Sequence, residues 1–69
     1  MNVQRNYRIR VSNLLSADEI RKTAKLISDD TYFLKITQDE DAGPFAEFHG
    51  DPLDSDKIAE KLDQLARSK

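Results

Sequence analysis

The hydrophobic period switches back and forth between two and about 3.6 along this chain. That succession constrains the fold more than any other feature of the sequence. From Tyr7 to Ser12 the alternation is strict, with Tyr7, Ile9 and Val11 on one side and Arg8, Arg10 and Ser12 on the other. Such a pattern, rich in β-branched residues, predicts a half-buried strand. Ser16-Ala17-Asp18-Glu19 then fits a capping box: the Ser16 hydroxyl accepts from the Glu19 N–H while the Glu19 carboxylate reaches back to Ser16. Leu15 stands where a staple residue would pack on Ile20. Ile20, Ala24 and Ile27 continue one stripe, so residues 17–29 are expected to be helical, with Asp29-Asp30 opposing the helix dipole at its end.

Thr31 to Thr37 is the strongest β stretch. Unbroken alternation would put Tyr32, Leu34 and Ile36 on one face and Phe33, Lys35 and Thr37 on the other. Gln38 to Gly43 is a polar loop, and Pro44 to His49 a second strand of the same hairpin, with Ala46 and Phe48 facing opposite to Phe45, Glu47 and His49. Gly50 to Asp54 is a turn in which Asp51 with Pro52, or Asp54, serves as cap. Ile58, Leu62 and Leu65, with Ala59 and Ala66, line a last helix up to about Arg67.

The expected fold class is therefore α+β, in the order strand-helix-strand-strand-helix. Gly43-Pro44 and Gly50-Asp51-Pro52 are the only Pro/Gly punctuation, so residues 1–69 form a single small domain. The order resembles a ferredoxin-like arrangement truncated before its fourth strand. By that analogy, a three-stranded, antiparallel-containing sheet has strand order 1-3-2 and two helices on one face, joined by a right-handed crossover. The predicted core is Ile9, Leu34, Ile36, Phe48, Ile58 and Leu62, with Ile20 and Ile27 from the first helix. The opposite sheet face and the outer edge of the first strand have no element left to cover them.

Several chemistries are disfavoured. Chains of this size bury only ~60% of the surface exposed on unfolding, which leaves little room for a cleft between lobes. The chain has no cysteine, and its only histidine is His49, so neither a disulfide framework nor a protein-built zinc site is expected. Asp39, Asp41 and Gly43 misplace the glycine and the last acid of a calcium loop. No nucleophile elbow and no phosphate-binding glycine loop are present. The expectation is a protein that is not an enzyme and takes no cofactor. The longest apolar run is Tyr32-Phe33-Leu34, and Met1 to Arg5 lacks the apolar core of a secretory leader, so no membrane association and a cytoplasmic location are expected.

Residues 1–25 hold six bases against two acids, and residues 26–69 five bases against eleven acids, within a net charge of −2 and a pI near 5.2. Strand parity places Arg8, Arg10, Phe33, Lys35, Phe45 and His49 on the uncovered face, and these are the candidate binding residues. Exposed aromatics and arginines are the types that anchor protein interfaces. The leading reading is a non-enzymatic protein-binding module that occupies a surface of a larger partner, of the inhibitor, antitoxin or phage anti-defence type. The alternative is a small single-stranded nucleic-acid-binding protein that stacks bases on the same face. A homodimer through the first-strand edge or the open sheet face is expected, because nothing in Tyr7–Ser12 blocks pairing. Were Phe33 and Phe45 buried, the acidic surface of Asp39, Glu40, Asp41, Asp51, Asp54 and Asp56 would become the candidate instead.

Overall fold

The computed structural model describes residues 3–69; Met1 and Asn2, part of the stretch read above for a leader, lie outside the described residues. Strand β1 (Arg5–Arg10) leads through helix α1 (Ala17–Ile27) to the hairpin β2 (Tyr32–Asp39) and β3 (Gly43–Gly50). A short 3-10 turn, Pro52–Asp54, then feeds helix α2 (Ser55–Arg67). The sheet order is β1-β3-β2 and both pairings are antiparallel, as the ferredoxin-like analogy predicts.

Local chemistry accounts for each boundary. The capping box forms: Glu19 N–H donates to Ser16 Oγ at 3.2 Å and Ser16 N–H to Glu19 Oε1 at 3.0 Å. The helix stops two residues earlier than its periodicity predicts, because Ser28 adopts an extended conformation whose N–H still caps Ala24 O. In the hairpin loop, Asp39 Oδ1 accepts from the N–H groups of Asp41 and Ala42, at 2.8 and 3.0 Å. Gly43 follows with φ +88°, the left-handed region that only glycine enters without strain, although a Cβ there would meet no atom within 4 Å. The two caps considered for the last helix divide between two elements: Asp51 caps the 3-10 turn, and Asp54 occupies the N-cap position of α2. Asp51 Oδ1 accepts from Leu53 N–H at 3.0 Å, whereas Asp54 makes no side-chain cap.

Ile9, Ala46 and Phe48 from the sheet meet Ile20 and Ala24 from α1 and Ile58 and Leu62 from α2 in one buried cluster. Val11 and Leu15 complete that cluster. Helix α1 packs toward β2, α2 toward β1, and the helices touch each other. At their ends, Lys69 pairs with Glu19, tying the last residue to the first turn of α1. Phe48 lies fully buried at the centre, stacked on Tyr7 at 5.8 Å and met edge-on by Phe33 at 5.7 Å between ring centroids.

Strand β2 departs from the predicted parity. Phe33 is opposite Phe48, yet Lys35 is already opposite Glu47, so Leu34 is an extra residue, a β-bulge. Thr31 and Phe33 therefore face the helices before the bulge, and Ile36 faces them after it. Phe33 and Ile36 are three residues apart, a spacing that no regular strand can turn to one side; the extra residue makes both inward positions possible. Three expectations are corrected as a result. Phe33 is not on the open face but packs against the core. Leu34 is 47% exposed and Tyr32 54% exposed, so neither belongs to the core. Ile36 keeps its predicted face but lies at the rim, 37% exposed.

Candidate functional site

The uncovered face of the sheet is a small grid whose order follows from register. Directly opposed residues of an antiparallel pair share a face. One row is Arg10–Phe45–Thr37, the next Arg8–Glu47–Lys35, and the last Asn6–His49–Tyr32. Five of the six candidate binding residues, Arg8, Arg10, Lys35, Phe45 and His49, are thus brought together. Phe33 is the exception, for the reason given above.

Each row has its own chemistry. Phe45 is half-buried between Arg10 and Thr37, so its ring stays on the outer side of the sheet and outside the core cluster. Thr37 carries a buried hydroxyl that has no hydrogen-bond partner among the described residues. In the middle row Glu47 stands between two cations, and Arg8 Nε donates to its Oε1 at 3.4 Å. The geometry is loose and the Arg8 side chain is 61% exposed, so this pair contributes little to stability. Arg10 makes no ion pair among the described residues. In the last row His49 Nδ1 lies 2.6 Å from Asn6 Oδ1. The imidazole therefore donates its Nδ1–H to the amide oxygen and leaves Nε2 uncommitted. Tyr32 closes the row at the sheet edge, where Lys25 Nζ sits 3.9 Å from its ring centroid.

Sequence reasoning missed Asn6, Tyr32 and Leu34 as surface residues. Asn6 lies before the alternating run, yet its register partner is His49. Tyr32 and Leu34 were assigned inward by an alternation that the bulge interrupts. The only signal for that interruption was the three-residue spacing of Phe33 and Ile36, both strong core formers. Away from that face, a groove of about 320 Å3 between the helices is lined by Thr23, Leu26, Lys61, Gln64, Leu65 and Ser68. Leu26 on its rim is 85% exposed. Among the described residues no group of three or more potential metal ligands occurs, and no helix is long and apolar enough to cross a membrane.

The open face offers guanidinium, ammonium, imidazole, carboxylate and aromatic groups side by side on one sheet surface. Such a surface can recognise another surface. Comparison of the chain with protein-family models, with curated proteins and with solved structures finds no match.

Proposed function

We propose that this domain is a non-enzymatic protein-binding module that engages a larger partner through the open face of its sheet, as an inhibitor, an antitoxin or a phage anti-defence protein would. The observation that supports this reading is the row Arg10–Phe45–Thr37 beside Arg8–Glu47–Lys35. It sets an aromatic ring among cations on a face that no other element packs against among the described residues. Central aromatic and arginine anchors ringed by polar groups are the usual make-up of an interface hot spot. The bulged Leu34 and the edge residue Tyr32 widen the apolar part of the patch. On this reading the domain works in the cytoplasm by occupancy, with no chemical step of its own.

A photo-reactive phenylalanine analogue at position 45, with one at the exposed Glu60 of α2 as control, tests the reading in native host cells. Cross-links to a larger protein should form from position 45 and not from position 60. Phe45→Ala and Arg10→Ala should each weaken the captured complex at least about tenfold while the thermal melt is kept. Equal cross-linking from both positions, or no effect of either substitution, would sink the proposal.

Single-stranded nucleic acid is the second reading, favoured by the three cations around Phe45. With Phe33 turned inward, however, that face keeps only one central stacking ring. Labelled oligodeoxythymidine should lose affinity by orders of magnitude between ~50 and ~200 mM salt if phosphates are the ligand. A protein partner should respond to salt mainly in its on-rate.

A further inference from the structure

The two edges of the sheet are not equivalent. The β2 edge is interrupted by its bulge, a device that discourages pairing. β1 runs in unbroken register against β3 from Arg5 to Arg10, and no strand pairs with its outer side among the described residues. Val11 N–H donates to the carbonyl of its register partner Pro44 at 3.1 Å. Hydrogen-bonded pairs alternate along an antiparallel ladder, so Tyr7, Ile9 and Val11 bond to β3. The N–H and C=O groups of Asn6, Arg8 and Arg10 therefore point outward, unpaired. The side chains of these same residues lie on the open face.

We infer that the outer edge of β1 accepts an extended acidic segment of a partner protein as an added strand. Carboxylates of that segment alternate on the open face beside Arg8 and Arg10. Its other side chains, turned toward α2, are small and apolar. At the Arg10 end of β1 a cleft of about 50 Å3 lies between the strand and α2, lined by Val11, Ala59, Leu62 and Ala66 together with Arg10, Ser12 and Asp63. Asp63 in that lining is paired with Arg67 at 3.0 Å. The narrow cleft with its apolar Val11, Ala59, Leu62 and Ala66 suits small side chains on the α2 side, and Arg8 and Arg10 suit acids on the open face.

Charge also weighs against a second copy of this chain as the occupant in the registers that overlap the strands most fully. A two-fold antiparallel pairing of β1 with itself must set outward-bonding residues against one another. Centred on Arg8, it opposes Arg8 to Arg8. Centred on Ile9, it opposes Arg8 to Arg10, and centred on Tyr7 it leaves the two Arg8 side chains diagonal neighbours. Like charges directly opposite, as in the first two registers, destabilise a strand pair, whereas a glutamate or aspartate in the same position stabilises it.

This inference shares Arg8 and Arg10 with the proposed binding face and otherwise stands apart from it. The test uses the full chain and a blocked hexapeptide of alternating valine and glutamate, with an alternating valine and lysine peptide as counterpart. Residue-resolved amide hydrogen exchange is the readout. At saturating glutamate peptide the amides of Asn6, Arg8 and Arg10 should exchange at least about tenfold more slowly. The lysine peptide should leave them unchanged, and the Arg8→Glu, Arg10→Glu double variant should invert the preference. If that variant does not fold, the comparison of the two peptides on the unaltered chain decides alone. No slowing by the glutamate peptide, or equal slowing by both, overturns the inference. So does protection already present in the free chain that grows with its concentration, which would put a second copy on the edge. Shifts centred on Phe45, Thr37 and Lys35 without slowing would leave the open face standing and remove the edge.

Discussion

Phe33 and Leu34 are neighbours in a strand, and alanine substitution at each should separate them sharply. Phe33 is half-buried and packs edge-on against Phe48 at 5.7 Å. A fully buried phenylalanine truncated to alanine costs about 3–5 kcal/mol, so half of that burial with the lost ring pair comes to about 2 kcal/mol. Leu34 has 47% of its surface in water already and makes no part of the buried cluster, so Leu34→Ala should cost about 0.5 kcal/mol. In a domain of this size 1 kcal/mol moves the melting temperature by about 4–8 °C. Circular-dichroism melts should therefore fall by about 8–16 °C for Phe33→Ala and by no more than about 4 °C for Leu34→Ala. Deleting Leu34 outright is the harder test. With it gone, Phe33 remains opposite Phe48 and Lys35 opposite Glu47, so a continuous strand forms and the fold should survive. If Leu34→Ala melts below Phe33→Ala, or the deletion unfolds the chain, β2 alternates without a bulge and the layout of the open face falls with it.

Gly50→Ala should destabilise by about 1–3 kcal/mol, because its Cβ would stand 2.8 Å from Thr31 Oγ1 and 3.2 Å from Thr31 Cα; a urea midpoint equal to that of the unaltered chain would show that the β3 end and Thr31 are not packed so closely. Backbone N–H donors from Ala42 and Asp41 hold the Asp39 carboxyl below its ordinary pKa, and Lys69 with Ser16 does the same for Glu19. A folded-state value that is depressed stabilises above the unfolded value and is lost as pH falls through the folded one, so stability should be level above about pH 5 and drop below the ordinary carboxylate range near 4. Asp39→Asn keeps an acceptor for both N–H groups and should preserve the fold at pH 7 while flattening that acid decline; an unchanged decline would remove Asp39 from its cause.

Every element in this chain was legible before its structure, because each carries a local signature. The capping box of Ser16 and Glu19, the alternation of Tyr7, Ile9 and Val11, the glycine of the hairpin loop and the apolar stripe of α2 act over a few residues. Strand order came from the ferredoxin-like analogy and from no single residue, since a helical crossover by itself equally allows β1 directly beside β2. Five of six candidate binding residues reached their face through local alternation. The inward turn of Phe33 and the outward turn of Leu34 were settled by tertiary packing. Phe48 and the helices fix where large side chains can enter the core, and β2 gains one residue so that Phe33 reaches it while Ile36 still turns to the same face at its rim. The pairing of Asn6 with His49 and the outward amides of Arg8 and Arg10 were settled in the same way. Which residues lie opposite each other, and which backbone groups remain unpaired, are properties of the register between strands, and register exists only once strands distant in sequence have met.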